Sequence, residues 1–275
     1  MPAPAVLLVG HGSKDMEGNV DFLKLVDRIR PRFPDRLLKA CFIEYCDPEV
    51  PAALDQLVAE GARDITVIPV ILFAAGHVKM DIPGSLDVAR LRHPGVAFRY
   101  GAHIGVQSDL YPVLRAKAEA VEKARGWGPD RSETTVLLIG RGSSDPDANG
   151  DLHKIARYLW EGSGWKDVQV CFSGITQPRF EEGIRRCAAL GAKRVVMIPY
   201  FLFTGILLKR LQGQSEAWRP KFPGLDWGFA PELGHEDELL DIIRARVAEA
   251  EAGETRMSCD LCHHRIAAAA KEARA

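Results

Sequence analysis

An internal repeat constrains the fold of this chain of 275 residues more than any other feature of its sequence. The segment LLVGHGS at 7–13 returns as LLIGRGS at 137–143, so the two copies lie 130 positions apart. The same spacing separates further identical residues in both halves, namely Cys41 and Cys171, Pro48 and Pro178, Gly61 and Gly191, Pro69 and Pro199, and Lys79 and Lys209. Solenoid repeats run to about 20 to 50 residues. A period this long therefore predicts two similar lobes.

Strand and helix patterns alternate within each half. In the first half, short apolar runs predict strands at 5–10, 37–43, 65–70 and 96–100, and amphipathic patterns predict helices at 19–30, 49–60, 78–90 and 107–125. This alternation favours an α/β fold with parallel sheets covered by helices. We expect an N-terminal lobe at 1–125, a turn-rich linker at 126–133, a second lobe at 134–250, and a tail at 251–275 that contains cysteine and histidine.

Charge and composition exclude several classes of function. The 36 Lys and Arg residues nearly balance the 37 Asp and Glu residues, so no overall field attracts nucleic acid or an anionic membrane. No stretch approaches the roughly 20 apolar residues that span a bilayer, and the start lacks a basic n-region, which together predict a cytoplasmic protein. The loop at 10–15 also lacks the third glycine of a dinucleotide fingerprint, and neither copy has a P-loop ending, so no nucleotide is expected.

Three chemically active side chains occur only in the first copy. Each follows an apolar strand, so all three are predicted at the carboxyl ends of a parallel sheet, where ligands bind in open α/β folds. The three matched pairs are His11 with Arg141, Glu44 with Gly174, and His77 with Leu207. A single histidine at a strand end can simply cap a loop. Three coincident differences favour a functional site.

Two imidazoles and a carboxylate suit a divalent transition metal, and imidazoles also exchange protons near neutral pH. A permanent zinc site stays open at this point, although no His-Glu-x-x-His pattern accompanies it. The spacing alone does not select a reaction.

The motifs at 7–13, FIE at 42–44 and ILFAAGHV at 71–78 resemble those of the class II chelatases, most closely the long-form CbiX family. The resemblance covers both repeats, roughly residues 5–249. It implies a chelatase-like fold of two flavodoxin-like lobes with a tetrapyrrole cleft between them. It also implies ATP-independent insertion of Co²⁺ into sirohydrochlorin on the anaerobic route to cobalamin.

The resemblance assigns His11 and His77 as the pair that binds Co²⁺ and accepts protons, with Glu44 as their acidic partner in catalysis. In the surrounding loop, Gly10, Gly12 and Ser13 are the residues expected to line the bound substrate. Ser13 has a match in Ser143, which is also typical of a helix-capping residue.

Arg141 is predicted to bind substrate carboxylates, for which a guanidinium is geometrically suited; the alternative is an ordinary surface arginine. Lys79, Lys209 and Arg210 follow the same strands and are weaker candidates, since charges that open a helix are usually solvated.

The tail carries MSCDLCHH at 257–264, in which Cys259 and Cys262 stand apart from the other cysteines. A haem attachment would require export, and a redox dithiol would require a thioredoxin-like setting. The family resemblance instead implies an iron–sulfur cluster on these two thiols. Because such clusters usually take four cysteines, a homodimer that shares one cluster is one hypothesis, and ligation by His263 or His264 is another. A third hypothesis stays open, in which the thiols of the tail only collect metal.

The remaining cysteines, Cys41, Cys46, Cys171 and Cys187, are expected to be small core residues. Sirohydrochlorin and a divalent metal are the expected partners. Two other functions stay open: a sirohydrochlorin ferrochelatase for sirohaem, and a non-catalytic carrier of tetrapyrrole or metal with a redox-sensing tail.

Overall fold

A computed structural model describes residues 4–255, and within them each half of the chain builds one four-stranded parallel sheet. The first sheet contains β1 (Ala5–Gly10), β2 (Leu37–Phe42), β3 (Asp64–Pro69) and β4 (Ala97–Tyr100). The second contains β5 (Thr134–Gly140), β6 (Asp167–Phe172), β7 (Arg194–Pro199) and β8 (Asp226–Phe229). The predicted α/β fold with two similar parallel sheets is confirmed.

Helices separate the strands throughout the described chain. They are α1 (Met16–Ile29), α2 (Val50–Ala59), α3 (Ile82–Arg92), α4 (Leu110–Ala124), α5 (Pro146–Trp160), α6 (Phe180–Ala189), α7 (Ile206–Trp218) and α8 (Asp237–Glu251). A π-helical turn, His77–Asp81, runs directly into α3. None of the described helices combines the length and apolar character that a bilayer crossing requires.

The order of the strands locates a binding edge in each sheet. The orders are β2-β1-β3-β4 and β6-β5-β7-β8. Successive strands are therefore added on one side of β1 and then on the other, which makes the position between β1 and β3 a topological switch point, and β5 and β7 form the equivalent in the second sheet. In open α/β sheets the crevice at such a switch point, beyond the carboxyl ends of the strands, takes the ligand. His11 follows β1 and His77 follows β3, which places both at this edge.

Helix α1 begins earlier than its apolar pattern predicts, because its cap is polar. The Asp15 side chain accepts a hydrogen bond from the Glu17 backbone N–H at 3.2 Å and satisfies one of the free donors of the first turn. The helix therefore starts at Met16 rather than at 19. Asp145 caps α5 in the same way, through the Asp147 N–H at 3.0 Å.

The chain forms two compact units, and their boundaries differ from those of the two sequence repeats. The first unit joins the residues up to Gly105 with those from Asp237 onward, and the second is the continuous segment Val106–Glu236. Helix α4 packs on β7, β8 and α5, whereas α8 packs on β3, β4 and α1. The expected boundaries placed 106–125 with the N-terminal lobe and 237–250 with the second lobe. A repeat shows which segments are alike, but it does not show which sheet a terminal helix covers.

Close packing holds α8 on the first sheet. A Cβ atom at Gly101 would lie 2.2 Å from Ile68 Cδ1 and 3.3 Å from Ala250 Cβ, so only glycine permits this approach. Arg246 then donates to the His103 and Ile104 carbonyl oxygens at 2.9 and 3.0 Å. The last helix is therefore an integral layer of the first unit.

Three of the four described cysteines are core residues, as expected. Cys41, Cys171 and Cys187 are buried, and burial raises the pKa of all three thiols, that of Cys187 to about 12. The prediction for Cys46 is wrong: it lies half-buried in the loop between β2 and α2. The apolar pattern around Cys46 ends earlier than we assigned it, because β2 stops at Phe42.

We predict that Gly12→Ala lowers the free energy of unfolding by roughly 2 to 4 kcal/mol. Gly12 has φ +88°, and an added Cβ would lie 1.8 Å from the Glu44 carbonyl oxygen, so backbone strain and overpacking combine. Urea unfolding measures the effect. Gly61→Ala is the matched control, because its φ is +96° but no atom lies within 4 Å of the added Cβ, and about 1 kcal/mol of strain is expected. Equal losses in the two variants would contradict the contact argument.

Candidate metal centre

The first unit brings three predicted ligands together at the edge of its sheet. His11, Glu44 and His77 follow β1, β2 and β3, and one ligand atom from each lies within 4.8 Å of the others. All three side chains are half-buried, so each keeps one side open to solvent. We call this group the metal triad. Among the described residues it is the only group of three or more metal-ligating side chains this close.

The two imidazoles of the metal triad lie in edge-to-face contact. Their ring centroids lie 4.9 Å apart with an interplanar angle of 89°, and His11 Nδ1 lies 3.6 Å from Glu44 Oε1. Two imidazole nitrogens and a carboxylate on one side of a metal leave its other coordination positions open, as in catalytic metal sites. The arrangement fits a divalent transition metal that must also contact a second molecule.

Backbone hydrogen bonds fix His11 and Glu44 relative to each other. The Glu44 N–H donates to the His11 carbonyl at 3.2 Å, and the Ile43 N–H donates to the Gly10 carbonyl at 3.0 Å. Gly12 then passes against the Glu44 carbonyl, where no side chain would fit. The loops after β1 and β2 are therefore locked together, and His11 and Glu44 keep a fixed spacing.

Hydrogen bonds to acceptors select the nitrogen that each histidine offers. His11 Nδ1 lies 3.0 Å from the Gly12 carbonyl oxygen, and His77 Nδ1 lies 2.6 Å from Asp81 Oδ2. A carbonyl and a carboxylate can only accept, so each Nδ1 carries the proton and each Nε2 keeps its lone pair. This is the tautomer that a metal ligand needs, and the second partner fixes the orientation of the ring.

Asp81 is a functional candidate that our reading of the sequence missed. It closes the π-helical turn that begins at His77, so the two side chains sit one turn apart. The repeat contains the signal, because position 211 in the second copy is leucine, just as 207 is. Asp81, like the members of the metal triad, is therefore replaced by a chemically different residue in the second copy.

His103 is a second residue that the sequence did not single out. It lies just beyond β4 at the same edge, and neither ring nitrogen has a hydrogen-bond partner among the described residues. Burial, with the nearby charges of Arg246 and Lys79, lowers the pKa of His103 to about 4. This imidazole is therefore neutral at physiological pH.

The residues predicted to line the substrate have local structural roles in the same loop. A Cβ at Gly10 would lie 2.8 Å from the Phe22 ring, which explains glycine there by packing, and Gly12 needs glycine for its positive φ and its contact with the Glu44 carbonyl. The Ser13 hydroxyl accepts from the Asp15 N–H at 3.0 Å, and the Ser13 backbone exchanges two hydrogen bonds of 2.8 Å with the Asn19 side chain. Substrate contact by these three residues stays a prediction.

The second unit repeats the backbone of this site with different side chains. The Gly174 N–H donates to the Arg141 carbonyl at 3.0 Å, and Gly142 passes against the Gly174 carbonyl as Gly12 passes against Glu44. Arg141, Lys209 and Arg210 are exposed, whereas Lys79, the first-unit equivalent of Lys209, is half-buried. The predicted ligands Cys259 and Cys262 lie outside the described residues.

The family model named CbiX matches this chain twice, at residues 5–121 and 135–250. The chain belongs to the CbiX family. The two matches coincide with the two sequence repeats, so both halves of this CbiX protein descend from the same type of domain, as the resemblance of its motifs indicated.

Relatives and solved structures agree with this membership. The CbiX chain is 40% identical to a sirohydrochlorin cobaltochelatase of Priestia megaterium, over 95% of this chain and 85% of the relative. It is 31% identical to a sirohydrochlorin ferrochelatase of the same organism, over 88% of this chain and 89% of the relative. The crystal structure of the sirohydrochlorin chelatase SirB from Bacillus subtilis subspecies spizizenii in complex with cobalt matches with a TM-score of 0.76 and 25% identity, covering 92% of this chain and 97% of SirB.

We predict that Asp81→Asn weakens binding of Co²⁺ by about 10- to 100-fold, because an amide no longer holds the His77 ring through a charged acceptor. Isothermal titration with Co²⁺ measures the affinity. Asp87→Asn is the matched control, since Asp87 lies on α3 and pairs with Arg90 rather than with a ligand. Unchanged affinity in Asp81→Asn would show that the His77 ring does not depend on this carboxylate.

Proposed function

We propose that this protein is a sirohydrochlorin cobaltochelatase, which inserts Co²⁺ into the tetrapyrrole without a nucleotide during cobalamin biosynthesis. The observation that carries the proposal is the metal triad, whose ligand atoms lie within 4.8 Å of one another at the switch point of the first sheet. The cobaltochelatase relative at 40% identity supports cobalt as the substrate metal.

The metal triad suits a metal that is transferred to a substrate rather than bound permanently. Insertion requires a hydrated cation to exchange water for protein ligands and then protein ligands for pyrrole nitrogens. Three donors on one side leave the opposite side of Co²⁺ to water and then to the macrocycle. The half-exposed positions of His11, Glu44 and His77 allow this exchange from the solvent side.

The same side chains can take the protons that the reaction releases. Two pyrrole N–H protons leave the free-base tetrapyrrole for each divalent cation that enters it, so charge balances. As the metal moves onto the macrocycle, His11 Nε2 and His77 Nε2 regain their lone pairs and become bases near the pyrrole nitrogens. Glu44, 3.6 Å from His11 Nδ1, stabilises the imidazolium that forms there.

In the second unit, Arg141 occupies the position that His11 has in the first. We assign it to a carboxylate side chain of the tetrapyrrole, which a guanidinium can bind through two parallel hydrogen bonds. Gly10, Gly12 and Ser13 are assigned to the surface beside the substrate, where the absence of side chains at the glycines lets the macrocycle approach. A cytoplasmic location goes with this assignment.

Sirohydrochlorin ferrochelation is the second candidate, and the ferrochelatase relative at 31% identity is the observation that favours it. The donor set binds Fe²⁺ as well as Co²⁺, since neighbouring metals in the affinity order share these ligands. Anaerobic assays with each metal at equal free concentration separate the two candidates. A protein that binds tetrapyrrole and metal but never forms the metallated product would be a carrier.

We expect His11→Ala and His77→Ala each to slow cobalt insertion by about a hundredfold or more, because each variant removes a ligand and a base together. The measurement is the absorbance shift of sirohydrochlorin on metallation under anaerobic conditions. Circular dichroism confirms that the fold is retained.

The control for these variants is His93→Ala, because His93 bonds to Asp55 at 2.8 Å and ends α3 away from the strand ends. It should keep the activity of the natural protein. Full activity in both His11→Ala and His77→Ala would refute the proposed function.

We also assign Cys259 and Cys262 to an iron–sulfur cluster. The described cysteines cannot complete a four-thiolate set with them. Cys41, Cys171 and Cys187 are buried, which raises the pKa of each thiol, and the half-buried Cys46 would add only one ligand. Two cysteines from each of two chains would supply the usual four ligands. The cluster-bearing form is therefore assigned as a homodimer.

Replacing both Cys259 and Cys262 by serine should remove iron and acid-labile sulfide from anaerobically purified protein and leave cobalt insertion within about twofold, since the metal triad stays intact. Iron and sulfide content is compared with oligomer mass from light scattering. A full cluster on a strict monomer would contradict the shared-cluster dimer, and lost insertion in the double variant would show that the tail takes part in chelation.

A further inference from the structure

The loop between β6 and α6 (residues 173–179), which we call the basic loop, has the opposite charge to its counterpart in the first unit. The counterpart, residues 43–49, reads IEYCDPE and carries three carboxylates, whereas the basic loop reads SGITQPR and carries none. Glu44 becomes Gly174, and Glu49 becomes Arg179. Three negative charges are thus replaced by one positive charge at the edge where the first unit holds its metal triad.

The backbone of the two loops is nevertheless the same. Phe42 N–H donates to the Pro48 carbonyl at 3.0 Å, and Phe172 N–H donates to the Pro178 carbonyl at 2.9 Å. Tyr45 and the matching Ile175 both have left-handed backbones, with φ of 65° and 63°. The backbone is thus kept while the side chains, and with them the charge of the loop, change, so the two loops suit different ligands.

Arg179 occupies the space that the missing side chain leaves. A Cβ atom at Gly174 would lie 3.6 Å from Arg179 Nη1 and 3.8 Å from the Arg141 carbonyl oxygen. The guanidinium of Arg179 is thus held over the position from which Glu44 projects in the first unit. Arg141 and Arg179 both belong to this edge of the second unit.

No carboxylate among the described residues pairs with Arg179, which is exposed. Other arginines of the second unit do have such partners: Arg157 with Glu161, Arg185 with Glu181, Arg186 with Glu182, and Arg219 with Glu216. The two acids that follow Arg179 in the first turn of α6 are paired elsewhere, Glu181 with Arg185 and Glu182 with Arg186. At Arg179 the chain instead lacks the acid at both the neighbouring loop positions, 174 and 177.

Apolar side chains are exposed at the same edge. Ile175 follows β6 with 57% of its surface exposed, and Ile206 opens α7 after β7 with 54% exposed. Leu207 stands where the first unit has His77. Exposed apolar surface beside guanidinium groups suits a flat hydrophobic ring that carries carboxylates.

We infer that Arg179 binds a carboxylate side chain of the tetrapyrrole, with Gly174 kept as glycine so that no acid neutralises the guanidinium. The inference rests on the proposed function and extends it to a substrate-binding residue in the basic loop. The edge of the first sheet thus carries the metal triad, and the matching edge of the second sheet carries Arg141 and Arg179.

The test is the dissociation constant of metal-free sirohydrochlorin, measured by fluorescence titration of the full chain. Arg179→Ala should raise it about threefold to tenfold, the size expected for one charge-assisted contact at an exposed site. Gly174→Glu should raise it similarly, because the new carboxylate pairs with Arg179 in place of the substrate. KM for the tetrapyrrole in cobalt insertion should rise with it, while kcat stays within about twofold.

Two controls make this result specific. Gly174→Ala adds only a Cβ at ordinary contact distance and should bind sirohydrochlorin as the natural protein does, and Arg185→Ala removes a guanidinium that is already paired. Natural affinity in both Arg179→Ala and Gly174→Glu, or a loss in kcat alone, would overturn the inference and leave the proposed function standing. A natural protein that never metallates sirohydrochlorin would overturn the proposed function itself.

Discussion

The close passage of Gly12 beneath the Glu44 carbonyl is the contact on which the site depends. A single Cβ atom would separate the loops after β1 and β2 there, and the hydrogen bond from the Glu44 N–H to the His11 carbonyl would be lost. That bond fixes the spacing between an imidazole and a carboxylate on two different strands. The third ligand, His77, is positioned separately by the turn that leads into α3. A rigid pair and an independently anchored partner together give a site that is fixed in place but open on one side.

Much of this site could be predicted because the chain contains its own comparison. Residues that the shared backbone requires, such as Gly10 and Gly12, are the same in both copies. Positions that differ, such as His11 and His77, are therefore recognisable as functional rather than structural. Buried parallel strands are also recognisable as short apolar runs, and the predicted strands of the first half agree with β1 to β4 to within one residue at every end. Local pattern and duplication therefore account for the sheet and the metal triad.

The rest depends on contacts that sequence order does not encode. The side chain of Asp81 matters only because a π-helical turn brings it 2.6 Å from His77 Nδ1, and an isolated aspartate in a helical pattern reads as a solvated charge. In the sequence His103 resembles an ordinary loop residue. Only the structure shows that it is buried and that burial lowers its pKa. Cys46 was expected in the core, but it lies half-buried in the loop after β2, which ends at Phe42. The exchange of α4 and α8 between the two sheets has no local pattern at all, because both helices have an apolar face that either sheet could bury.

The exchanged helices also set the order in which the protein can be completed as it is synthesised. The second unit is one continuous segment, Val106–Glu236, so every layer it needs has left the ribosome before α8 is made. The first unit is translated earlier, yet its sheet waits for the far end of the chain to cover β3 and β4. During that interval β3, the strand that His77 follows, still lacks the layer that α8 provides. The half that holds the metal ligands is thus begun first and finished last.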